Sequence, residues 1–227
     1  MIHKLNLLIA NVYLVVEQHP IIVDTGAPGS AERIVRALRR LGIEPKEVRL
    51  ILLTHAHSDH AGSAAELRKL TGAPIAVHRD DLAMLRRGDN GSFVPTDLEA
   101  RISKPFVDRP FPSTEPDQVL DDAGDLHEWG IGARWMHTPG HSDGSISILF
   151  ENGDAIIGDI LRGGLMGGAL LPGIPKYPFY LPALANKTVI HQSVSRVLEI
   201  GAQRLYVGHG GPLSRVDVEY WLTQHIR

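Results

Sequence analysis

The segment Thr54-His55-Ala56-His57-Ser58-Asp59-His60 constrains this chain more than any other feature. It packs His55, His57, Asp59 and His60 into six residues, directly after the apolar run at 48–53. With Arg49 as its one polar residue, a run of that length reads as a strand buried on both faces. A regular strand or helix cannot aim all four side chains at one point, so the spacing predicts a tight loop at the end of a buried strand. Imidazole nitrogens and carboxylate oxygens suit zinc and similar divalent ions.

Three later segments repeat the arrangement, each with one ligand-type residue. Thr138-Pro139-Gly140-His141 follows a strand expected to end at His137. Ile157-Gly158-Asp159 and Tyr206-Val207-Gly208-His209 each end a short apolar strand. In every case a glycine adjoins the ligand-type residue, where the backbone can approach closely. The candidate metal ligands are therefore His55, His57, Asp59, His60, His141, Asp159 and His209. The other histidines, at 3, 19, 78, 127, 137, 191 and 225, share no such context and are expected on the surface or satisfied in the core.

Composition removes several alternatives. With no cysteine among 227 residues, disulfides, thiolate ligands and a cysteine nucleophile are excluded. A net charge of −3 gives no broad attraction for polyanions, so nucleic acid is not an expected partner. Arg33, Arg36, Arg39 and Arg40 recur at helical spacing and read as one solvated helix face. No window reaches the roughly 18 apolar residues of a membrane span, and the first residues lack the pattern of a secretory leader. The expectation is a cytoplasmic protein that meets a small-molecule substrate and no membrane.

Hydrophobic periodicity predicts strands at 2–8, 12–16, 20–23, 48–53, 74–77, 131–137, 145–150, 155–158 and 204–207. Helices are predicted at 30–41, with Ser30 as N-cap, and at 64–70, 80–86, 183–200 and 216–225. The proline-rich stretch 88–116 reads as an irregular surface excursion, and 160–182 shows no clear period. Strands open each half and helices follow, with every ligand-bearing loop at a strand end. That order predicts two sheets sandwiched between outer helices, in one domain spanning residues 1–227.

With these pieces in place the sequence resembles the metallo-β-lactamase superfamily, specifically its binuclear hydrolase branch near glyoxalase II. His55, His57, Asp59 and His60 match its H-x-H-x-D-H signature, and His141, Asp159 and His209 match the later ligands in order. The resemblance implies an α/β fold, a four-layer αβ/βα sandwich of two mixed β-sheets flanked by helices. It also implies two divalent ions, zinc first, with Mn2+ or Fe2+ as alternatives. One ion would take His55, His57 and His141, the other Asp59, His60 and His209, with Asp159 bridging. Asp24, in Asp24-Thr25-Gly26, would support the site through a hydrogen bond to a ligand histidine.

The implied chemistry is attack by a metal-bridging hydroxide on a thioester or lactone carbonyl, with Asp59 as the catalytic residue that orients it and passes its proton on. With about 18 residues after His209, the helical domain of glyoxalase II is not expected, and a glutathione thioester is not the favoured expectation. Asp159 argues against a β-lactam, and the lack of a basic surface argues against a nuclease acting on phosphodiesters. A mononuclear iron dioxygenase acting on persulfides is the alternative from another enzyme class, and a non-catalytic metal-binding module is the third reading. The apolar stretch 161–182 starts at the site and is expected to wall the acyl part of a substrate or to form a homodimer contact, with Tyr177 or Tyr180 as an oxyanion donor.

Overall fold

The computed structural model describes residues 1–7, 10–183 and 187–225. Leu8, at the end of the first expected strand, and residues 184–186, at the start of the expected fourth helix of substantial length, lie outside the described residues.

Two six-stranded mixed sheets form the frame. The first runs Ile2–Asn6, Asn11–Val16, Pro20–Val23, Leu50–Leu52, Ile75–His78, Gln118–Leu120, in chain order. Its first three strands are antiparallel and the next three join in parallel. The second sheet orders Leu213–Ser214, Arg204–Tyr206, Asp154–Ile156, Ile146–Phe150, Ala133–His137 and Ala123–Asp125.

Side-chain alternation explains the layering. In the first sheet Leu14, Ile22, Ile51 and Leu53 pack against Ile34, Leu38 and Leu67 of the outer helices. The alternate residues Tyr13, Val15, Ile21, Leu50 and Leu52 meet Ile146, Ile148 and Ile156 of the second sheet. The far side of the second sheet, with Ala155, Leu205 and Val207, packs on Ile190, Val194, Val197, Val218 and Leu222. Three apolar interfaces between four layers are the αβ/βα sandwich that the element order predicts.

Local departures have physical reasons. Ser30 stands at the N-cap of helix Ala31–Arg40, yet its hydroxyl makes no capping bond; its N–H instead donates to Ser63 Oγ at 2.8 Å. The stretch expected to be irregular at 88–116 contains strand Phe93–Pro95 and helix Leu98–Val107. Asp97 caps that helix by accepting the Ala100 N–H at 2.9 Å, and Pro105 lies in its last turn. The stretch 160–182 is a hairpin, Arg162–Leu165 with Leu170–Lys176, followed by Tyr180–Pro182, which pairs with Phe93–Pro95. The edge strands Gln118–Leu120, Ala123–Asp125 and Leu213–Ser214, each two or three residues long, are too short to show a period. Among the described residues no helix is long and apolar enough to cross a membrane.

Candidate metal centre

Strand register brings the candidate ligands to one edge of the sandwich. Asp154–Ile156 and Arg204–Tyr206 are parallel, with Ile156 opposite Tyr206. Asp159 and His209 each lie three residues beyond that pair, so they emerge side by side, with His209 Nε2 3.0 Å from Asp159 Oδ2. Pro20–Val23 and Leu50–Leu52 are likewise parallel, which sets Asp24 beside Thr54 at the root of the histidine segment. The Ile146 N–H donates to Thr54 O at 2.9 Å and ties the second sheet to that root.

The segment is not purely a loop. His57 is extended, and Ser58–Ala61 is a single helical turn carrying Asp59 and His60. Alternation along the extended part points His55 and His57 inward, and the turn swings Asp59 and His60 after them.

All seven residues converge. His55, His57 and His141 offer ligand atoms within 4.8 Å of one another, as do Asp59, His60 and His209, and so do His55, His60 and Asp159. His57 Nδ1 and His141 Nε2 are 2.9 Å apart, and Asp159 Oδ2 lies 3.6 Å from His141 Nε2. Six of the seven are buried and Asp59 is half-buried.

Three of the atoms that face the centre, His55 Nε2, His60 Nε2 and Asp159 Oδ1, are buried without a hydrogen-bond partner. A buried polar atom without a hydrogen bond costs about 1–3 kcal/mol, so three on one point, even with His60 Nε2 facing Asp159 Oδ1 at 3.5 Å, are a liability unless something else binds there. Nitrogen and carboxylate donors without sulfur fit a divalent cation.

Neighbouring groups fix the rings from behind. Asp24, fully buried with φ +63°, accepts from the Thr54 N–H at 2.8 Å and holds His60 Nδ1 at 2.8 Å. The expected hydrogen bond from Asp24 to a site histidine is therefore present. The Tyr180 carbonyl holds His141 Nδ1 at 2.9 Å, and Thr54 Oγ1 lies 3.0 Å from His55 Nδ1.

The electrostatics divide the cluster in two. Burial and neighbouring rings push His55 well down and His57 down to about 3, and burial lowers His141. These three are neutral at neutral pH, the form that ligates. Burial opposes charge on His209 and His60 too, but Asp159 with Asp59 or Asp24 outweighs it. His209 rises to about 10, and His60 rises well above its usual value. A cation entering that half would displace these protons.

A family model described as the metallo-beta-lactamase superfamily matches residues 5–209. The chain belongs to the metallo-beta-lactamase superfamily. It is 34% identical to the uncharacterized protein YobT of Bacillus subtilis, over 88% of this chain and 82% of that one. It is 26% identical to the probable metallo-hydrolase YflN of the same organism, over 98% and 89%. It is 28% identical to hydroxyacylglutathione hydrolase GloC of Haemophilus influenzae, over 69% and 68%. Among solved structures, TTHA1623 in a di-iron-bound form superposes with a TM-score of 0.68 at 26% identity, covering 96% of each chain.

Two residues of this superfamily member were not legible as functional. Asp81 is fully buried between the ligand-bearing loops and accepts from the Ala56 N–H at 2.9 Å, Ser142 Oγ at 2.9 Å and the Gly144 N–H at 2.8 Å. Nothing near Asp81 in sequence reveals those partners. Burial pushes its carboxyl up to about 6 against the pull of the three donors. That value lies above the unfolded value of about 3.9, so protonated Asp81 favours the fold. Its contribution is full below about pH 4 and is lost as the pH rises through about 6, a span worth about 3 kcal/mol. Urea unfolding is expected to show wild type losing stability relative to Asp81→Asn over this window; a difference independent of pH would contradict the assignment.

Arg162 is the other. It is fully buried, pairs with Asp97 and with Glu99 at 3.2 Å, and donates to the carbonyls of Tyr177 at 3.0 Å and Gly164 at 2.8 Å. Its guanidinium lies 4.0 Å from the Phe179 ring centroid, and Phe179 packs edge-on against His209. Arg162 therefore joins helix Leu98–Val107, the 162–176 hairpin and the metal edge in one network. Phe93, Leu98, Ile102, Leu165, Met166 and Leu170 wall a cleft of about 750 Å³ floored by His57, Asp59, Asp159 and His209. Tyr177 faces elsewhere, bonding His191 Nε2 at 2.7 Å, and the Tyr180 hydroxyl donates to Ala100 O at 2.9 Å. Neither hydroxyl is free to act as an oxyanion donor as expected from sequence.

Proposed function

We propose that this protein is a hydrolase holding two divalent metal ions, and that it cleaves a thioester or lactone of a small apolar acyl compound. His55, His57 and His141 would hold one ion, Asp59, His60 and His209 the other, and Asp159 both. The observation that carries this reading is the three orphaned atoms, which belong to both halves and to the shared carboxylate. Zinc suits the donor set best, and manganese or iron also fit it. When bound, the ions supply a water ionisable near neutral pH and a Lewis acid for a carbonyl oxygen.

The chain's own residues do the rest. Asp24, Thr54 and the Tyr180 carbonyl keep three of the rings aimed inward. Burial raises the Asp59 carboxyl, but His60 and His209 outweigh it and hold the group well below the usual range. Asp59 is also the most exposed of the seven, so its ionised carboxylate is placed to orient the reacting water by a hydrogen bond and to link it to solvent. The apolar walls exclude water and favour a hydrocarbon acyl group over a charged one. GloC, whose name describes a thioester hydrolase, lends the thioester reading support.

The test is a panel assay of Zn2+-loaded protein with an acyl thioester, a homoserine lactone, a phosphodiester and a β-lactam. Thioester or lactone turnover should dominate, with kcat/KM rising by up to about fourfold per added acyl methylene. Ile102→Ser should flatten that rise. Preferential turnover of the phosphodiester or β-lactam, or one iron per chain with oxygen uptake on a persulfide, would refute the proposal.

A further inference from the structure

Three residues outside the seven have the makings of a separate site. His78 ends strand Ile75–His78 and pairs in register with Leu120 at the edge of the first sheet. Asp122 follows two residues later, in the link between Gln118–Leu120 of the first sheet and Ala123–Asp125 of the second. His137 ends strand Ala133–His137 of the second sheet, and its N–H donates to Asp122 O at 2.6 Å. Ladder bonds of both sheets therefore hold the three Cα positions, as a preorganised site requires.

The side chains converge on the seam. One ligand atom from each of His78, Asp122 and His137 lies within 4.8 Å of the others. His78 is fully buried, and its Nε2 has no hydrogen-bond partner. That nitrogen lies 3.5 Å from Asp122 Oδ1. Ligands of a tetrahedral zinc ion with bonds of about 2.1 Å sit about 3.4 Å apart, so the pair is already at coordinating separation. His137 Nε2 is 2.6 Å from the Asp143 carbonyl, which leaves Nδ1 as the lone-pair nitrogen. A ring N–H anchored on a backbone carbonyl is how protein ligand histidines are normally oriented.

We propose that His78, His137 and Asp122 form a further metal site that takes one divalent transition-metal ion of the zinc type at the junction of the two sheets. Burial and the neighbouring His137 ring lower the pKa of His78, so the ring is neutral and able to ligate. His78 Nδ1 accepts a long hydrogen bond from the Asp80 N–H at 3.3 Å, which binding at Nε2 gives up as the ring proton moves to Nδ1, with Asp80 Oδ2 3.7 Å away. The two rings stack at 4.2 Å and 11°. Parallel rings cannot both aim in-plane lone pairs at one ion, so binding tilts His137, the less buried of the two. Arg79 contacts Asp121 at 2.8 Å and Asp122 at 2.5 Å and is the competing cation. Its pairs are solvent-exposed, of a kind worth little, and a divalent ion displaces it.

The probe is Zn2+ itself. Protein with its seven-residue centre loaded is equilibrated with a series of free Zn2+ concentrations, and bound metal is counted by equilibrium dialysis for wild type, Asp122→Asn and His137→Asn. Both substitutions fall at solvent-accessible positions, and circular dichroism checks their folding. Wild type should take up one equivalent more than either variant, or hold it at least tenfold more tightly. Added Zn2+ should raise the melting temperature of loaded wild type and leave both variants unmoved. Equal stoichiometry and affinity in all three proteins would overturn the proposal.

Discussion

Asp159→Ala is expected to lose bound metal and hydrolase activity together, with kcat/KM falling about 10³-fold or more, equivalent to about 4 kcal/mol of transition-state stabilisation. Asp159 is the residue on which both halves of the centre lean. Its Oδ2 faces His209 at 3.0 Å and His141 at 3.6 Å, and its Oδ1 faces His60 at 3.5 Å. Without it the raised His60 and His209 lose their main counter-charge, and the two triads lose their common donor. The fold should survive, because the partners of the side chain are the site histidines at the edge of the sandwich. Metal analysis beside an ester-bond assay and circular dichroism separates the outcomes. A folded, metal-depleted variant with wild-type turnover would rule the account out.

Gly208→Ala is expected to cost about 10²-fold in activity, although the substitution adds one methyl group and touches no ligand chemically. A Cβ at Gly208 would lie 2.0 Å from Asp159 Oδ1 and 2.5 Å from His60 Cε1. Neither His60 nor the Gly208 backbone can yield. His60 is pinned from behind by Asp24, and the Gly208 backbone is held by its N–H to Gly158 O at 2.9 Å and by the Asn11 N–H on its carbonyl at 2.7 Å. The strain must move Asp159 out of line. Kinetics of the metal-reconstituted variant check this: kcat should fall far more than stability. Unchanged kcat would show that the approach of Gly208 to the centre is not the constraint proposed.

The parts of the site that could be read from sequence share one property. Each candidate ligand follows a short apolar strand, so its position on the sheet edge is implied by the strand alone. His141, Asp159 and His209 stand out because a glycine or proline turn isolates them, and their meeting point then follows from strand order. The parts that could not be read depend on distant partners. Asp81 sits in an ordinary acidic helix start, and only the tertiary fold brings Ala56 and Gly144 to it. Helix Leu98–Val107 was hidden by surrounding prolines, although Asp97 with Glu99 in the first turn is a start signal that outweighs Pro105 at its end. Arg162 falls in a stretch with no clear period, and its partners Asp97 and Glu99 lie more than sixty residues away. His78 and His137 appeared unrelated because each closes a strand of a different sheet, and only the packing of the sheets stacks them.

The central claim is that a pair of cations sits between the two triads with Asp159 in common. Anomalous diffraction from crystals of zinc-reconstituted protein, recorded on both sides of the zinc absorption edge, tests it most directly. The account predicts two peaks beside the Asp159 carboxylate, one toward His55, His57 and His141 and the other toward Asp59, His60 and His209. A single peak, or a carboxylate turned away from both triads, would contradict it.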